Sequence, residues 1–366
     1  MIPARPARRL HAATLCAALL MLAGCRGEPE GPVAAQAQAP ARPPAWVATL
    51  DQAVSRIQAD MPGELGVYVS RQGSDAGILD RGDGRAWYLS STVKVPVAIA
   101  VLEAVDSGHM RLEDELELAT SDFVDGAGDM LQHAPGTRFS LATLLQKSLR
   151  DSDSTATDML IRHLGQDYLD ARIAAWTGGG FGPLTTILQV RYDAYGPLHP
   201  DVAELDNLQI VALRRAEAGE PRLQALAGAL GVERGELRAD SLQDAFEAYY
   251  ATGANSATLP AFARLLERLA AGELLSPGST ALLLSHMRAI STGDRRIAAG
   301  LPPDSDFAQK TGTQLGRACN VGLLDPSRGR DGATVVVACA EGFDELAQAE
   351  RAFQALGRAL GELPRA

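Results

Sequence analysis

The sequence predicts an α/β fold: one antiparallel sheet built from both ends of the chain, helices flanking it, and a helical lobe between. Three observations carry that expectation. Strand-like alternation occurs near the start, in "GELGVYVSRQG" and its hairpin partner "AGILDRGDGRAWYL". It returns near the end in "DFAQKTGTQ", "RACNVGLLD" and "ATVVVACAEG". Everything between reads with the helical period, including "SLATLLQKSLRDS", "ATDMLIRHLG", "PAFARLLERLAAGELL" and "STALLLSHMRAI". Two amphipathic helices, residues 46–60 and 344–363, are placed to cover the sheet. The chain of 366 residues is long enough for a sizeable core. Its formal charge of −11 argues against a nucleic-acid partner, which calls for a basic face.

The N-terminus has the pattern of an export signal. Arg5, Arg8 and Arg9 precede the apolar "AATLCAALLML", which is too short to span a bilayer. "LAGC", Leu22 to Cys25, resembles a bacterial lipobox. The resemblance implies a signal peptide over 1–24, lipid on Cys25, and an exported protein that faces the periplasm and meets the membrane only through that anchor. Residues 25–44 are rich in Pro, Ala, Gly and Gln and read as a disordered tether. A folded unit is expected over 45–364.

Export bears on the cysteines. Cys16 leaves with the signal and Cys25 carries lipid, so Cys319 and Cys339 remain. In an oxidising compartment two such residues suggest a disulfide. If Leu324 faces Thr334 across the last hairpin, Cys319 faces Cys339; two buried free thiols on neighbouring strands are the alternative. Cysteines and histidines show no metal-ligand spacing, so neither metal nor cofactor is expected.

The chain has 34 basic residues, of which only Lys94, Lys147 and Lys310 are lysines. Lysine can give up its proton and arginine cannot, so a retained lysine can mark a place that needs such an amine, and two of the three lie in motif-like settings. In "SSTVKVP", Lys94 follows Ser91 by one helical turn, which puts both on one face at the head of the apolar "VAIAVLEAV". A lysine desolvated there has a lowered pKa and can serve as the base that activates the serine. S-x-x-K alone is weak, arising by chance about once or twice in a chain this long. Two further stretches add weight: Ser152-Asp153-Ser154 between helical segments, and Lys310-Thr311-Gly312-Thr313 on an expected strand.

In this order and spacing the three motifs resemble the signature of the class A serine β-lactamases, among the penicillin-recognising serine enzymes. "KVPVAIAVLEAV", "LLERLAAGELLSPGS" and "STGDRRIAAGLP" extend the likeness over about residues 45–360. The resemblance implies the fold of that family, with the helical lobe over about 105–290. It implies a monomer that opens β-lactam rings, an antibiotic-resistance activity. Ser91 is then the nucleophile, Lys94 its activator and Ser152 the shuttle that protonates the leaving nitrogen. Lys310 polarises Ser152 and, with Thr311, Gly312 and Thr313, faces the substrate carboxylate. The N–H groups of Ser91 and Thr313 form an oxyanion hole, and Arg296 supports carboxylate binding.

Two features depart from the family pattern. Ser154 stands where the family has an asparagine that bonds the substrate's side-chain amide. The E-x-x-L-N loop, whose glutamate activates the deacylating water, is absent; a long insert over about 191–252 occupies its place. By position Glu247 is the first candidate for that base, with Asp244 and Glu204 behind it. The missing glutamate keeps open a D,D-peptidase or penicillin-binding protein that acts on a D-Ala-D-Ala-type peptide and deacylates slowly. A non-catalytic binding lipoprotein on the same scaffold is the third reading.

Overall fold

The computed structural model describes residues 43–364. The signal segment, Cys25 and the tether up to residue 42 lie outside the described residues. In chain order, α1 (Ala45–Ala59), β1 (Glu64–Arg71), β2 (Gly77–Arg81), β3 (Ala86–Tyr88) and α2 (Lys94–Asp106) come first. The middle holds β4 (Glu115–Glu117), β5 (Arg138–Ser140), α3 (Leu141–Leu149), α4 (Ser154–Leu164) and α5 (Gln166–Thr177). Then come α6 (Ile187–Tyr195), α7 (Asn207–Leu213), α8 (Glu220–Leu230) and α9 (Leu242–Tyr250). β6 (Ser256–Thr258), α10 (Leu259–Ala270), α11 (Pro277–Arg288) and the short α12 (Ile297–Gly300) follow. β7 (Phe307–Gln314), β8 (Arg317–Leu324), β9 (Thr334–Glu341) and α13 (Leu346–Gly361) end the order.

The two ends of the chain do build one antiparallel sheet, ordered β2-β1-β9-β8-β7. Both faces are covered, and the period of two sorts side chains between them. On β9, Val336, Ala338 and Ala340 meet α1 and α13, while Val335, Val337 and Cys339 face the opposite core shared with α2 and α10. Leu324 pairs with Thr334, which sets Cys319 opposite Cys339, and the two sulfurs are bonded.

β3 departs from the expected hairpin. Only Gly77–Arg81 pairs with β1; Ala86–Tyr88 leaves the sheet and pairs with β6. Asp83 and Gly84, with φ of 55° and 66°, turn the chain away. Trp87 then packs so tightly over β1 that a Cβ on Gly66 would lie 2.5 Å from its ring.

α2 is headed by Lys94. Its residues from Lys94 to Leu102 are all buried, so it runs through the core with no polar face. Pro96 sits in its first turn, where a missing N–H costs nothing. The long insert folds as α6 to α9 around its own apolar cluster, which includes Val202, Ile210, Leu226 and Phe246. No helix among the described residues is long and apolar enough to cross a membrane.

Candidate active site

Ser91 lies in the tight helical turn Ser90–Val93 that runs directly into α2. Ser90 takes φ 49°, a left-handed conformation that costs a β-carbon residue energy and persists only where the surroundings enforce it. The surroundings are β7. A Cβ on Gly312 would lie 2.6 Å from the Leu89 carbonyl oxygen and 2.9 Å from the Ser91 nitrogen. The K-T-G strand therefore needs glycine to pass this close to the serine turn.

One turn along, the Lys94 ammonium nitrogen is 3.0 Å from Ser91 Oγ. It also donates to the Ser152 carbonyl at 2.7 Å and approaches Ser152 Oγ at 3.3 Å. Lys310, from β7, donates to the same Ser152 hydroxyl at 2.8 Å. The Ser152 hydroxyl is thus bracketed by two buried amines. Ser152 holds φ 56°, and Asp153 after it caps α4 by accepting from Ala156 N at 2.9 Å. The second Asp153 oxygen accepts from Met130 N at 3.0 Å, which fixes the loop across from the helix.

Burial governs the charges. Lys94 is fully buried, and desolvation lowers its pKa to about 8 despite the opposing fields of Asp153 and Asp158. Lys310 is pushed well below the ordinary lysine value, first by burial and then by Lys94 and Arg296. Arg296 falls to about 10, again by burial. An amine near 8 beside a hydroxyl can accept its proton close to neutral pH.

These groups open onto a cleft of about 450 Å³ lined by Ser91, Ser152 and Ser154 together with Thr311 and Thr313. A cavity of about 510 Å³ between α1 and α13 contains none of the motif residues.

A profile of the beta-lactamase enzyme family matches residues 49–363. The chain belongs to that family. It is 27% identical over 309 residues to a beta-lactamase of Mycobacterium tuberculosis strain H37Ra, covering 84% of this chain and 81% of that protein. To beta-lactamase Toho-1 of Escherichia coli it is 26% identical over 265 residues, 72% of each chain. Among solved structures, the beta-lactamase of Sphaerobacter thermophilus superposes with a TM-score of 0.61 at 22% identity, covering 87% of this chain and 98% of the other. PBP-A superposes at 0.60 with 19% identity, covering 86% and 95%. The chain is accordingly a hydrolase of the serine β-lactamase type.

Within this family member the remaining sequence-predicted residues fall into two groups. Thr311 is bonded through its hydroxyl to Thr292 at 2.9 Å. Arg296 gives two hydrogen bonds of 2.8 Å to the carbonyls of Gly312 and Cys319 and a third to the Thr313 hydroxyl. Its guanidinium braces the K-T-G strand from behind as well as lining the cleft. Ser154 is buried against Gly126, where a Cβ would lie 2.2 Å from Ser154 Oγ.

Glu247 does not stand where its position in the chain predicts. It sits on α9, outside the residues that line the cleft, and its carboxylate is held by Arg317 at 2.6 Å and by Gln243 at 2.6 Å. Asp244 serves the start of the same helix, accepting from Ser241 Oγ at 2.6 Å. Glu204 is exposed at the end of the short turn Pro200–Glu204. The insert displaces all three from the serine because its helices pack outward around their own core. Among the described residues lining the cleft, the one carboxylate is Glu350, paired with Arg295 at 3.3 Å.

Sequence reasoning missed Asp158, Ile187 and the Arg191–Asp125–Arg214 cluster. Asp158 is fully buried and accepts from the backbone N–H of Ile187 at 2.6 Å and of Leu188 at 2.8 Å. It pins the first turn of α6 to α4, which sets Ile187 and Val190 on the cleft wall. Burial raises its carboxyl pKa to about 6. The signal in the sequence was its place on α4, one helical turn beyond Ser154.

Proposed function

We propose that this chain opens β-lactam rings by acyl transfer to Ser91. The observation that carries the reading is the convergence of Ser91, Lys94, Ser152 and Lys310 within hydrogen-bond reach of one another. Neutral Lys94 accepts the Ser91 proton as Oγ bonds the lactam carbonyl carbon. The carbonyl oxygen becomes negative and meets the N–H groups of Ser91 and Thr313. The ring C–N bond then breaks, and Ser152 donates its proton to the departing nitrogen while an adjacent lysine resupplies it. Water completes the cycle by cleaving the ester to free Ser91 and release the ring-opened acid. Thr311, Thr313 and the field of Lys310 and Arg296 receive the substrate carboxylate. Intact mass and peptide mapping test the reading: a penicillin adduct is expected on the Ser91 peptide, and an adduct elsewhere would overturn it.

A second reading is favoured by one specific feature. No carboxylate of the insert is among the described residues lining the cleft, so water lacks an evident base and the ester is expected to persist. That behaviour belongs to a D,D-peptidase or penicillin-binding protein. A PBP-A mutant held as its acyl-enzyme with penicillin G superposes on this chain with a TM-score of 0.62 at 19% identity.

We also infer that the protein is exported and tethered through lipid on Cys25, on the strength of "LAGC" after a charged and apolar leader. Mass spectrometry of the mature N-terminus is expected to find diacylglyceryl-modified Cys25. An unmodified terminus at another cleavage site would sink the anchor.

A further inference from the structure

The cleft has two unlike ends. One is the K-T-G strand, where Thr311, Thr313 and Arg296 await the carboxylate common to penicillins. The other lies beyond Ser154 and is formed by Gly126 and by residues of the insert, Arg191 and Arg214 among them. A β-lactam acylating Ser91 with its carboxylate on the strand sends its acyl side chain toward this second end.

That end is charged. Arg191 is buried, with its Nε 2.6 Å from Asp125 Oδ1. Arg214 Nε is 3.3 Å from the other oxygen of the same carboxylate. Two guanidinium groups therefore share one carboxylate, which leaves a net positive charge on the cleft wall. Asp125 is buried and locked by Arg191, while the Arg214 side chain, held by the same carboxylate, is about half exposed and lines the cleft. The protein supplies no second negative group to the cluster from the cleft: the one cleft-lining carboxylate among the described residues is Glu350, which is paired with Arg295.

We propose that Arg214, oriented by Asp125 and backed by Arg191, selects substrates whose acyl side chain carries a carboxylate. The proposal rests on the reading of Ser91 as the acylated serine. Ser154 and Gly126, which line the cleft with Arg214, are both small. A guanidinium gives a carboxylate two parallel hydrogen bonds as well as charge. An α-amino side chain would bring a second cation against the cluster and be disfavoured.

The test compares acylation rate constants for three penicillins that share one core: α-carboxybenzyl, benzyl and α-aminobenzyl. Wild type is expected to prefer them in that order. The ratio of α-carboxybenzyl to benzyl rates is read within each protein. Arg214→Ala is expected to lower that ratio about ten-fold, as for a partly exposed charge pair. Arg214→Glu should reverse the order. High salt should compress the wild-type ratio, because the contact is solvent-accessible. Equal ratios in all three proteins overturn the proposal while leaving Ser91 acylation intact. Failure of wild type to react with any of the three overturns the acylation reading, and the selectivity proposal with it.

Discussion

Ser91→Ala leaves a folded protein that takes up no penicillin, and Lys94→Arg acylates at least about 10²-fold more slowly than wild type. The serine variant removes one oxygen from a part-exposed turn, so circular dichroism should be unchanged. The lysine variant keeps the charge and removes the base, because a guanidinium does not release its proton in a protein. The pH dependence distinguishes a base from a structural cation. Burial holds Lys94 near 8, so the amine is protonated below that pH and neutral above it. Wild-type acylation of a chromogenic cephalosporin, followed by stopped flow, should therefore climb with pH and level off above about 8. The arginine variant should lack that rise. A flat wild-type profile, or an arginine variant as fast as wild type, would remove Lys94 from the role.

The Ser91–Lys94 contact is local, and that is why the residue spacing alone discloses it. Residues one turn apart on a helix share a face whatever surrounds them. The sheet is legible for a similar reason: the turn between "CNVGLLD" and "ATVVVAC" fixes which residues of the two strands face each other, down to Cys319 and Cys339. Ser152 and Lys310 are different. They lie 158 positions apart, and no spacing rule brings them to 2.8 Å. Only the family resemblance places them together. Glu247 shows where position fails as a guide. The insert has its own core, so distance along the chain stops tracking distance from the cleft. What sets the cleft wall instead is Asp158 holding two backbone N–H groups of α6. Backbone donors carry no sequence identity, so that link leaves no trace in the residues it fixes.

The same link leads to the second large effect, which concerns release. Rapid mixing of wild type with a chromogenic cephalosporin should give one equivalent of product in a burst, followed by a slow linear phase. Acylation has its base in Lys94, whereas the cleft wall built by α6 offers Ile187, Val190 and the ion-paired Arg191, none of which can take a proton from water. Ile187 is the place to supply what is lacking. Its backbone is held to Asp158, it lines the same cleft as Ser91, and it is 8% exposed. Ile187→Glu puts a carboxylate on that wall, one helical turn from the buried Arg191, whose charge can offset part of its desolvation. The linear phase should then rise about 10²-fold, the lower range for a positioned general base, while the burst keeps its size. Some loss of thermal stability is expected in exchange for the buried charge. Glu247→Gln is the matching control: with its carboxylate committed to Arg317 on α9, release should proceed at the wild-type rate. A wild type with no burst would mean that water is already well activated by a group other than these. A slowed Glu247→Gln enzyme would return that residue to the chemistry. If both results match expectation, acylation and release are separately encoded, one by the head of α2 and the other by the first turn of α6.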